Sequence, residues 1–497
     1  MEALGVVSLG AIVDAVWQYV ATPLASAPWG QWRNFWLQQI FDDRFVVVYF
    51  LPLVPVLLLV PRARLRLGII LTGLVFLAYV FGVLYAGIWL LTCLALYWFS
   101  ERFARECQRT DVLPVGPPLV AWLIISGWYV ITMTIHAVPL PVELNAWLLE
   151  HVPWIYPLGA RGLPWEPSFR ALHKLLAPDE PAQLFQALFW NVHSIGTAYL
   201  AVRMLHYLVE IRRGTLPPQR RTVLNFLAYT CYAPALIQGP IERFGPFQDE
   251  MDTCHLRRGL QNVPPALARI GWGIAKSLIG TLYFQPLVLG QLGLAVENTY
   301  YRHPEQIESF WLLYCGVFLQ IFWLYVEFSG YCDVSAGVAR LLGYRQVENF
   351  YWPWLATSMR DFWRRWHISL SAILRDYVYI PLGGNRRHAT LNLLITFTVC
   401  GIWHKLIPQV ALWGLVMGLM VAINQHWAQW MKSLDERPSG TLPALRRAIV
   451  KLRPLPTVAS WLFTQHAFVF SLLIFFGGLG GYNVAREIVR RIWAWLV

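Results

Sequence analysis

Two histidines stand out among the residues that could carry out chemistry, because they lie close together in the sequence but in very different surroundings. His367 lies in the charged and aromatic segment DFWRRWHISLSAILRDYVYIPLGGNRR, whereas His404 ends the apolar run LNLLITFTVCGIWH. A neutral histidine is the side chain best matched to removing a proton from a hydroxyl near neutral pH. An apolar environment disfavours the charged ring. His404 is therefore the candidate general base.

The role of His367 stays open between three alternatives: orienting a substrate, donating a hydrogen bond to a developing oxyanion, or shaping an interior cavity. Nearby arginine charge would also favour its neutral form. Arginine and lysine side chains suit phosphate groups. The candidate substrate-binding residues are Arg364, Arg365, Arg375, Asp376, Tyr331, Asp333, Gln238, Trp403 and Lys405.

Structural interpretations compete with these roles. A histidine at the end of an apolar run is more often a packing residue than a catalyst, and histidines such as His206 are interpreted as structural. The turn Gly383–Asn385 could hold phosphate through its backbone, but it is equally typical of an ordinary basic loop. Charges within apolar segments are expensive, so Lys276, Glu327 and Asp333 are expected to face a cavity and to find partners, and Arg340 is a candidate to neutralise one of the two acids.

Composition indicates the elements that must position these side chains. The 497 residues are 57% hydrophobic and 14% charged, and the mean hydropathy is +0.45. These values and the recurring apolar runs predict an all-α polytopic membrane protein with about 11–13 transmembrane or re-entrant helices. The segment Thr222–Pro240 is apolar but contains two prolines and lies between basic connectors, which favours a re-entrant element. Asp361–Arg387 is too charged to span and is expected at the membrane interface.

Charge placement predicts orientation and excludes one class of partner. The formal net charge is +12, and the basic residues cluster in connectors such as Arg212–Arg221 and the loop Lys432–Arg453. This is positive-inside patterning rather than a nucleic-acid surface, and it predicts a cytoplasmic N-terminus. Leu4–Val20 lacks the features of a signal peptide and is expected to be retained. The seven cysteines are scattered and indicate neither a disulfide framework nor a metal site.

The chain is interpreted as a single membrane domain over residues 1–497. Within it, residues 1–190 form N-terminal helices without recognisable motifs, residues 196–425 form the core, and residues 426–497 form a basic loop and C-terminal helices.

Five sequence blocks in order resemble the membrane-bound O-acyltransferase family, in particular its bacterial polysaccharide-modifying branch, which O-acetylates alginate and D-alanylates teichoic acid. They are GTAYLAVRMLHYLVEIRRG, YAPALIQGPIERF, GWGIAKSLI, LQIFWLYVEFSGYCDVSAGVARLLGY, and the histidine-containing region from Asp361 to His404. The resemblance implies helices around a central tunnel, which an acyl thioester enters from the cytoplasmic side, and it implies that His367 and His404 are the functional histidines. In that setting His367 could orient the thioester, and the arginines could contact the phosphate groups of coenzyme A or of a phosphopantetheine arm. It departs from the family at Lys405, where glycine often follows the second histidine, and at Glu327 and Cys332.

The resemblance also implies partners and location. We expect no bound cofactor, an acyl donor that is acetyl-CoA or an acyl carrier protein, a polysaccharide acceptor, and an extracytoplasmic acyltransferase as a partner protein. The expected location is the bacterial cytoplasmic (inner) membrane, in contact with membrane lipid. Two alternatives remain: a polar-solute transporter in which the histidines relay protons, and a lipid or protein O-acyltransferase of the same family.

Overall fold

The computed structural model describes residues 54–81, 83–109, 199–236, 238–254, 260–284, 299–404, 408–436, 440–442, 455–477 and 479–496. All regular secondary structure within these ranges is helical, and the chain is an all-α polytopic membrane protein, as predicted. The expectations for Leu4–Val20, for Lys405 and for most of residues 1–190 lie outside the described ranges. The division into a single domain stays a prediction.

The α-helices are α1 (Val54–Leu59), α2 (Leu65–Phe81), α3 (Val83–Arg109), α4 (199–212), α5 (Val223–Thr230), α6 (Phe244–Thr253), α7 (Val263–Ile279), α8 (Thr299–Arg302), α9 (Phe310–Leu341), α10 (Met359–Arg365), α11 (Ile368–Leu374), α12 (Ala389–His404), α13 (Pro408–Asp435), α14 (Leu455–Leu472) and α15 (Leu479–Leu496). Single π-helical turns follow three of them, at Gly280–Phe284, Arg375–Tyr379 and Leu473–Gly477.

Three of the described helices are long and apolar enough to cross a membrane: α9 with 32 residues, α13 with 28, and α14 with its π turn, 23 residues in all. At 1.5 Å per residue, α9 extends about 48 Å, more than the ~30 Å hydrocarbon core requires. It begins at Ser309, whose hydroxyl accepts a hydrogen bond from the backbone N–H of Leu312 at 3.2 Å. The total of 11–13 spans stays a prediction.

Two short, broken segments occur where the sequence pattern departs from simple spans, one before α9 and one between α9 and α13. In Thr222–Pro240, α5 ends after eight residues, and a 3₁₀ turn containing Pro234 follows it. In Asp361–Arg387, the chain forms α10 and α11, of seven residues each. A seven-residue helix is about 10 Å long and cannot cross a bilayer. The depth of either segment in the membrane stays a prediction.

Glycines let α12 and α13 pack with their backbones in contact. A β-carbon at Gly401 would overlap the backbone carbonyl of Val410, and one at Gly414 would overlap that of Phe397. A third glycine, Gly418, faces Leu393 in the same way. Small residues at such an interface allow close helix approach within membranes. This glycine seam fixes the position of α12, and therefore of His404 at its end, relative to the long helix α13.

Candidate active site

A break in the backbone between α10 and α11 positions His367. The histidine adopts the left-handed conformation, with φ +44° and ψ +54°, immediately before α11. For a residue with a β-carbon this conformation costs of order 1–3 kcal/mol and is found where surrounding contacts enforce it. Here the backbone N–H of Ile368 donates to the backbone carbonyl of Asn349 at 2.9 Å, and Tyr351 N–H donates to the Arg365 carbonyl at 2.9 Å. These bonds hold the break in place.

The side-chain oxygen of Asn349 lies opposite three donors at the start of α11. It accepts from the backbone N–H of Ser369 at 3.3 Å, from the Ser369 hydroxyl at 2.9 Å, and it lies 3.1 Å from Nδ1 of His367. A backbone N–H can only donate, so the Asn349 atom that faces it is the oxygen. An amide oxygen can only accept, so Nδ1 of His367 carries the hydrogen. In the neutral ring, Nε2 is then an unprotonated acceptor.

Aromatic rings surround the remaining faces of His367, which is 3% exposed. Its ring centroid lies 5.0 Å from that of Phe328, 5.8 Å from that of Trp403 and 6.4 Å from that of Tyr199. The sequence suggested that arginine charge would act on this ring, but its ring contacts are aromatic. The reason is the backbone break, which turns His367 away from the surface of α10 that carries the arginines.

Trp403 joins the two histidines, because its ring contacts both of theirs. The centroid of Trp403 lies 5.8 Å from that of His367 and 4.7 Å from that of His404. The His404 ring also meets Trp413 at 5.8 Å and Phe475 at 5.4 Å, both edge-to-face. Its side chain is nevertheless exposed, and no hydrogen bond to it comes from any residue in the described ranges. The structure therefore brings His367, Trp403 and His404 together, with the His404 side chain partly exposed.

Gln238 approaches this group through its backbone. The side-chain N–H of Asn349 donates to the Cys332 sulfur at 3.5 Å, and the Cys332 thiol lies 3.5 Å from the backbone carbonyl of Gln238. Cys332, noted in the sequence as a departure from the family pattern, thus connects the broken segment after α5 to the residue that orients His367. The neighbouring Tyr331 is 1% exposed and lies in the hydrophobic core, and its predicted contact with substrate stays a prediction.

Asp333 is paired twice across the α7–α9 interface. Its carboxylate lies 2.6 Å from the Lys276 ammonium and 3.0 Å from the Arg269 guanidinium. The expectation that Arg340 would neutralise an acid of α9 is wrong. Arg340 is exposed and, within the described ranges, makes no ion pair, because it lies about two turns beyond Asp333, whereas the partners come from the adjacent helix.

The predicted arginines do not gather at His367. Arg364 is exposed, and Arg365 pairs with Asp361 at 2.9 Å. Arg375 pairs with Asp376 at 2.6 Å, in the π turn after α11. These side chains therefore form small ion pairs along the segment.

Asp376 holds a second guanidinium, that of Arg243, at 2.5 Å. Partial burial alone would raise the pKa of Asp376, but the hydrogen bonds from Arg375 and Arg243 outweigh it, and the pKa is lowered. The carboxylate stays charged over the physiological range.

A polar cluster that the sequence did not indicate anchors this π turn. Nδ1 of His206 lies 2.6 Å from the Tyr377 hydroxyl, while its Nε2 accepts from the Phe244 backbone N–H at 2.9 Å. The Tyr377 hydroxyl in turn donates to Glu210 at 2.9 Å. Both nitrogens of His206 are thus engaged within the protein, which agrees with its interpretation as a structural residue. The guanidinium of Arg213 lies 5.1 Å above the Tyr377 ring.

Residues 168–453 match the model of MBOAT, the membrane-bound O-acyltransferase family. The chain belongs to this family. The matched range contains both histidines, Asn349, whose side chain contacts His367, and Asp376 with its two arginine partners. Within the described ranges, no group of three histidine, cysteine, aspartate or glutamate residues could hold a metal ion.

Three relatives show the range of chemistry within the similarity. A probable alginate O-acetylase of Pseudomonas syringae pv. tomato is 32% identical over 234 residues, 46% of this chain and 42% of the relative. A teichoic acid D-alanyltransferase of Streptococcus thermophilus is 26% identical over 427 residues, 80% of this chain and 94% of the relative. A peptidoglycan O-acetyltransferase of Helicobacter pylori is 40% identical over 110 residues, 22% of this chain and 21% of the relative. The chain spans less than half the length of the alginate O-acetylases it matches.

Proposed function

We propose that this membrane-bound O-acyltransferase family member moves an acyl group, most simply acetyl, from a cytoplasmic thioester donor across the membrane for O-acylation of an extracytoplasmic polysaccharide. The observation that carries the proposal is the contact of both histidine rings with Trp403, with Nε2 of His367 left as an acceptor and the His404 ring accessible. This arrangement places an accepting nitrogen on each of two histidine rings that contact one tryptophan, which suits the deprotonation of a hydroxyl nucleophile.

His404 is the general base of the proposed reaction. The acceptor hydroxyl oxygen attacks the thioester carbonyl carbon while its proton passes to the His404 ring. The tetrahedral intermediate then collapses, the carbon–sulfur bond breaks, and the departing thiolate takes a proton, which restores the neutral histidine. Nε2 of His367, whose Nδ1–H is held by Asn349, accepts a hydrogen bond from the hydroxyl before attack and so orients it.

The donor enters on the side of the π turn after α11. Arg213, Arg243 and Arg375 lie at this turn and contact Tyr377 or Asp376. Guanidinium groups bind phosphate in a bidentate manner, and both acetyl-CoA and the phosphopantetheine arm of a carrier protein contain phosphate. The chain itself would hold no permanent cofactor, because the donor is consumed in each cycle.

The acceptor is proposed from the relatives, which are named for alginate, teichoic acid or peptidoglycan. By analogy the acceptor here is a polysaccharide outside the cytoplasmic (inner) membrane of a bacterium. A separate extracytoplasmic acyltransferase would receive the acyl group and complete its transfer. The cytoplasmic N-terminus predicted from the basic connectors gives the membrane topology that this direction of transfer requires.

The test is transfer of radiolabelled acetyl from acetyl-CoA, or from a loaded carrier protein, by the purified chain in liposomes. The variants are His404→Ala and His367→Ala, with His303→Ala as the matched control, because His303 is exposed and, within the described ranges, its side chain forms one hydrogen bond, with Glu305 at 3.3 Å. Loss of a general base lowers the rate by roughly 10²–10⁴-fold. We expect this loss for His404→Ala, a smaller loss for His367→Ala, and none for the control.

Two results would contradict the proposal. If His404→Ala transfers acetyl at the wild-type rate, His404 is not the base. If the wild-type chain transfers nothing with either donor, in the presence of a hydroxyl acceptor and an extracytoplasmic partner, acyl transfer itself is wrong, and proton-coupled uptake of a polar solute becomes the function to measure.

A further inference from the structure

A second polar site lies apart from the two histidines, where the start of α12 meets the C-terminal half of α13. It is an open groove with a volume of about 790 Å³, within the ~300–1,000 Å³ of small-molecule sites. The polar residues that line it include Arg360, His388, Thr390, Gln425, His426 and Lys432. None of the residues that line the groove is acidic. Charge therefore favours an anionic ligand.

The cations of the groove are available for a ligand. Arg360 is exposed, and its guanidinium makes no ion pair within the described part of the chain. Lys432 is exposed and lies 3.7 Å from Glu436, outside the groove. An exposed pair of this length is worth little and is easily exchanged for a stronger anion.

The groove has a fixed polar wall. The Thr390 hydroxyl and Nε2 of His426 form a hydrogen bond of 2.8 Å between α12 and α13. Asn385 accepts from the Tyr379 hydroxyl at 2.7 Å and from the Gln425 side chain at 3.2 Å, which fixes the turn that precedes α12. The backbone N–H groups at the start of α12 lack partners within the helix and add positive potential on the same side.

Exposed apolar side chains on the same two helices flank the groove. Leu391 on α12 is 53% exposed, and Ile423 and Trp427 on α13 are 58% and 57% exposed. α13 is one of the candidate membrane spans, and the groove lies near its end. Exposed tryptophan beside basic residues at the end of a span is typical of the headgroup level of a membrane. A soluble anion would make no use of this apolar flank, whereas the acyl chains of a lipid would cover it.

We propose that this groove binds the phosphodiester headgroup of an anionic phospholipid, with Arg360 and Lys432 holding the phosphate and the acyl chains lying along Leu391 and Trp427. The site is separate from the proposed acyl transfer and does not depend on it. A lipid bound in the groove would hold α12 and α13 in contact with the surrounding membrane leaflet.

The test measures binding directly. The purified full chain in neutral detergent is titrated with dioctanoyl phosphatidylglycerol, with dioctanoyl phosphatidylcholine, and with inorganic phosphate, and binding is followed by the midpoint of thermal unfolding and by native mass spectrometry. We expect phosphatidylglycerol to bind saturably, and phosphatidylcholine and inorganic phosphate not to do so. One basic residue near a membrane surface contributes about 1 kcal/mol, or roughly fivefold in affinity. Arg360→Gln and Lys432→Gln should each weaken binding roughly fivefold, and the double variant roughly 25-fold.

Arg109→Gln is the matched control, since Arg109 is an exposed arginine at the end of α3 and does not line the groove. Equal loss of binding in this variant would show a general attraction to basic surface and would overturn the site. Equal binding of phosphatidylcholine, or unchanged affinity in the double variant, would overturn it as well. Binding of inorganic phosphate as strong as that of phosphatidylglycerol would replace the lipid with a soluble phosphate ligand. If the double variant does not fold, the two single variants decide.

Discussion

Replacement of Asn349 by alanine tests the assigned state of His367. The Asn349 oxygen lies 3.1 Å from Nδ1 of His367 in a site where the histidine is 3% exposed, so alanine leaves the Nδ1–H without its partner. A buried donor without a partner costs about 1–3 kcal/mol. The ring can escape this cost by moving its hydrogen to Nε2, and that tautomer cannot accept a hydrogen bond from the substrate hydroxyl.

The expected size of the change in kcat follows from the loss of the hydrogen bond between Asn349 and His367. If the productive tautomer loses about 1–2 kcal/mol relative to the alternative, its population falls roughly 5–30-fold, since 1.4 kcal/mol is a factor of ten. We therefore expect kcat of acyl transfer to fall by this factor, with a small change in KM. The assay is single-turnover acetyl transfer in liposomes at equal folded yield.

Ser369→Ala is the control for Asn349→Ala, because the Ser369 hydroxyl donates to the same oxygen at 2.9 Å. This variant weakens the packing of α11 but leaves the bond between Asn349 and His367. If folded Asn349→Ala keeps the wild-type kcat, or if Ser369→Ala lowers kcat equally, the oxygen does not act through the tautomer of His367 and the reasoning is refuted.

Two further predictions concern the ion pairs. Asp333→Asn leaves the partly buried Lys276 without its partner at 2.6 Å and should lower the free energy of unfolding by about 2 kcal/mol. Arg340→Gln is the control and should change this free energy little. Thermal unfolding in detergent measures both variants, and equal effects would contradict the pairing. The lowered pKa of Asp376 means that its carboxylate contributes stability at neutral pH, and this contribution is lost as the pH falls through the lowered folded-state pKa. Asp376→Asn should therefore reduce the unfolding temperature at pH 7, and the difference from wild type should shrink in acid; a difference that grows as the pH falls would show that the sign is wrong.

The sequence was sufficient for the fold class and for the family, because hydropathy and five ordered motifs do not depend on tertiary contacts. It also placed Trp403 beside His404 in the candidate set. It could not indicate Asn349, which lies 18 residues before His367 and contacts it only because the backbone breaks between α10 and α11.

The partners of Asp333 likewise could not be predicted from local sequence spacing. Lys276 lies 57 residues away along the chain, on a neighbouring helix, so no local spacing rule could select it over Arg340 on the same helix. The two short, broken segments were anticipated, since proline and charge within apolar stretches are local signals. Their contacts with His367 depend on how the helices pack.

The glycine seam between α12 and α13 has a mechanical consequence. Side chains form a deformable layer between most packed helices, but here backbone meets backbone at Gly401 and Gly414, so a tilt of one helix moves the other with it. A span tilts more in a thin bilayer than in a thick one to match the hydrocarbon depth. Since α13 is a candidate membrane span and His404 lies at the end of the helix packed against it, a change in bilayer thickness that tilts α13 would also move His404.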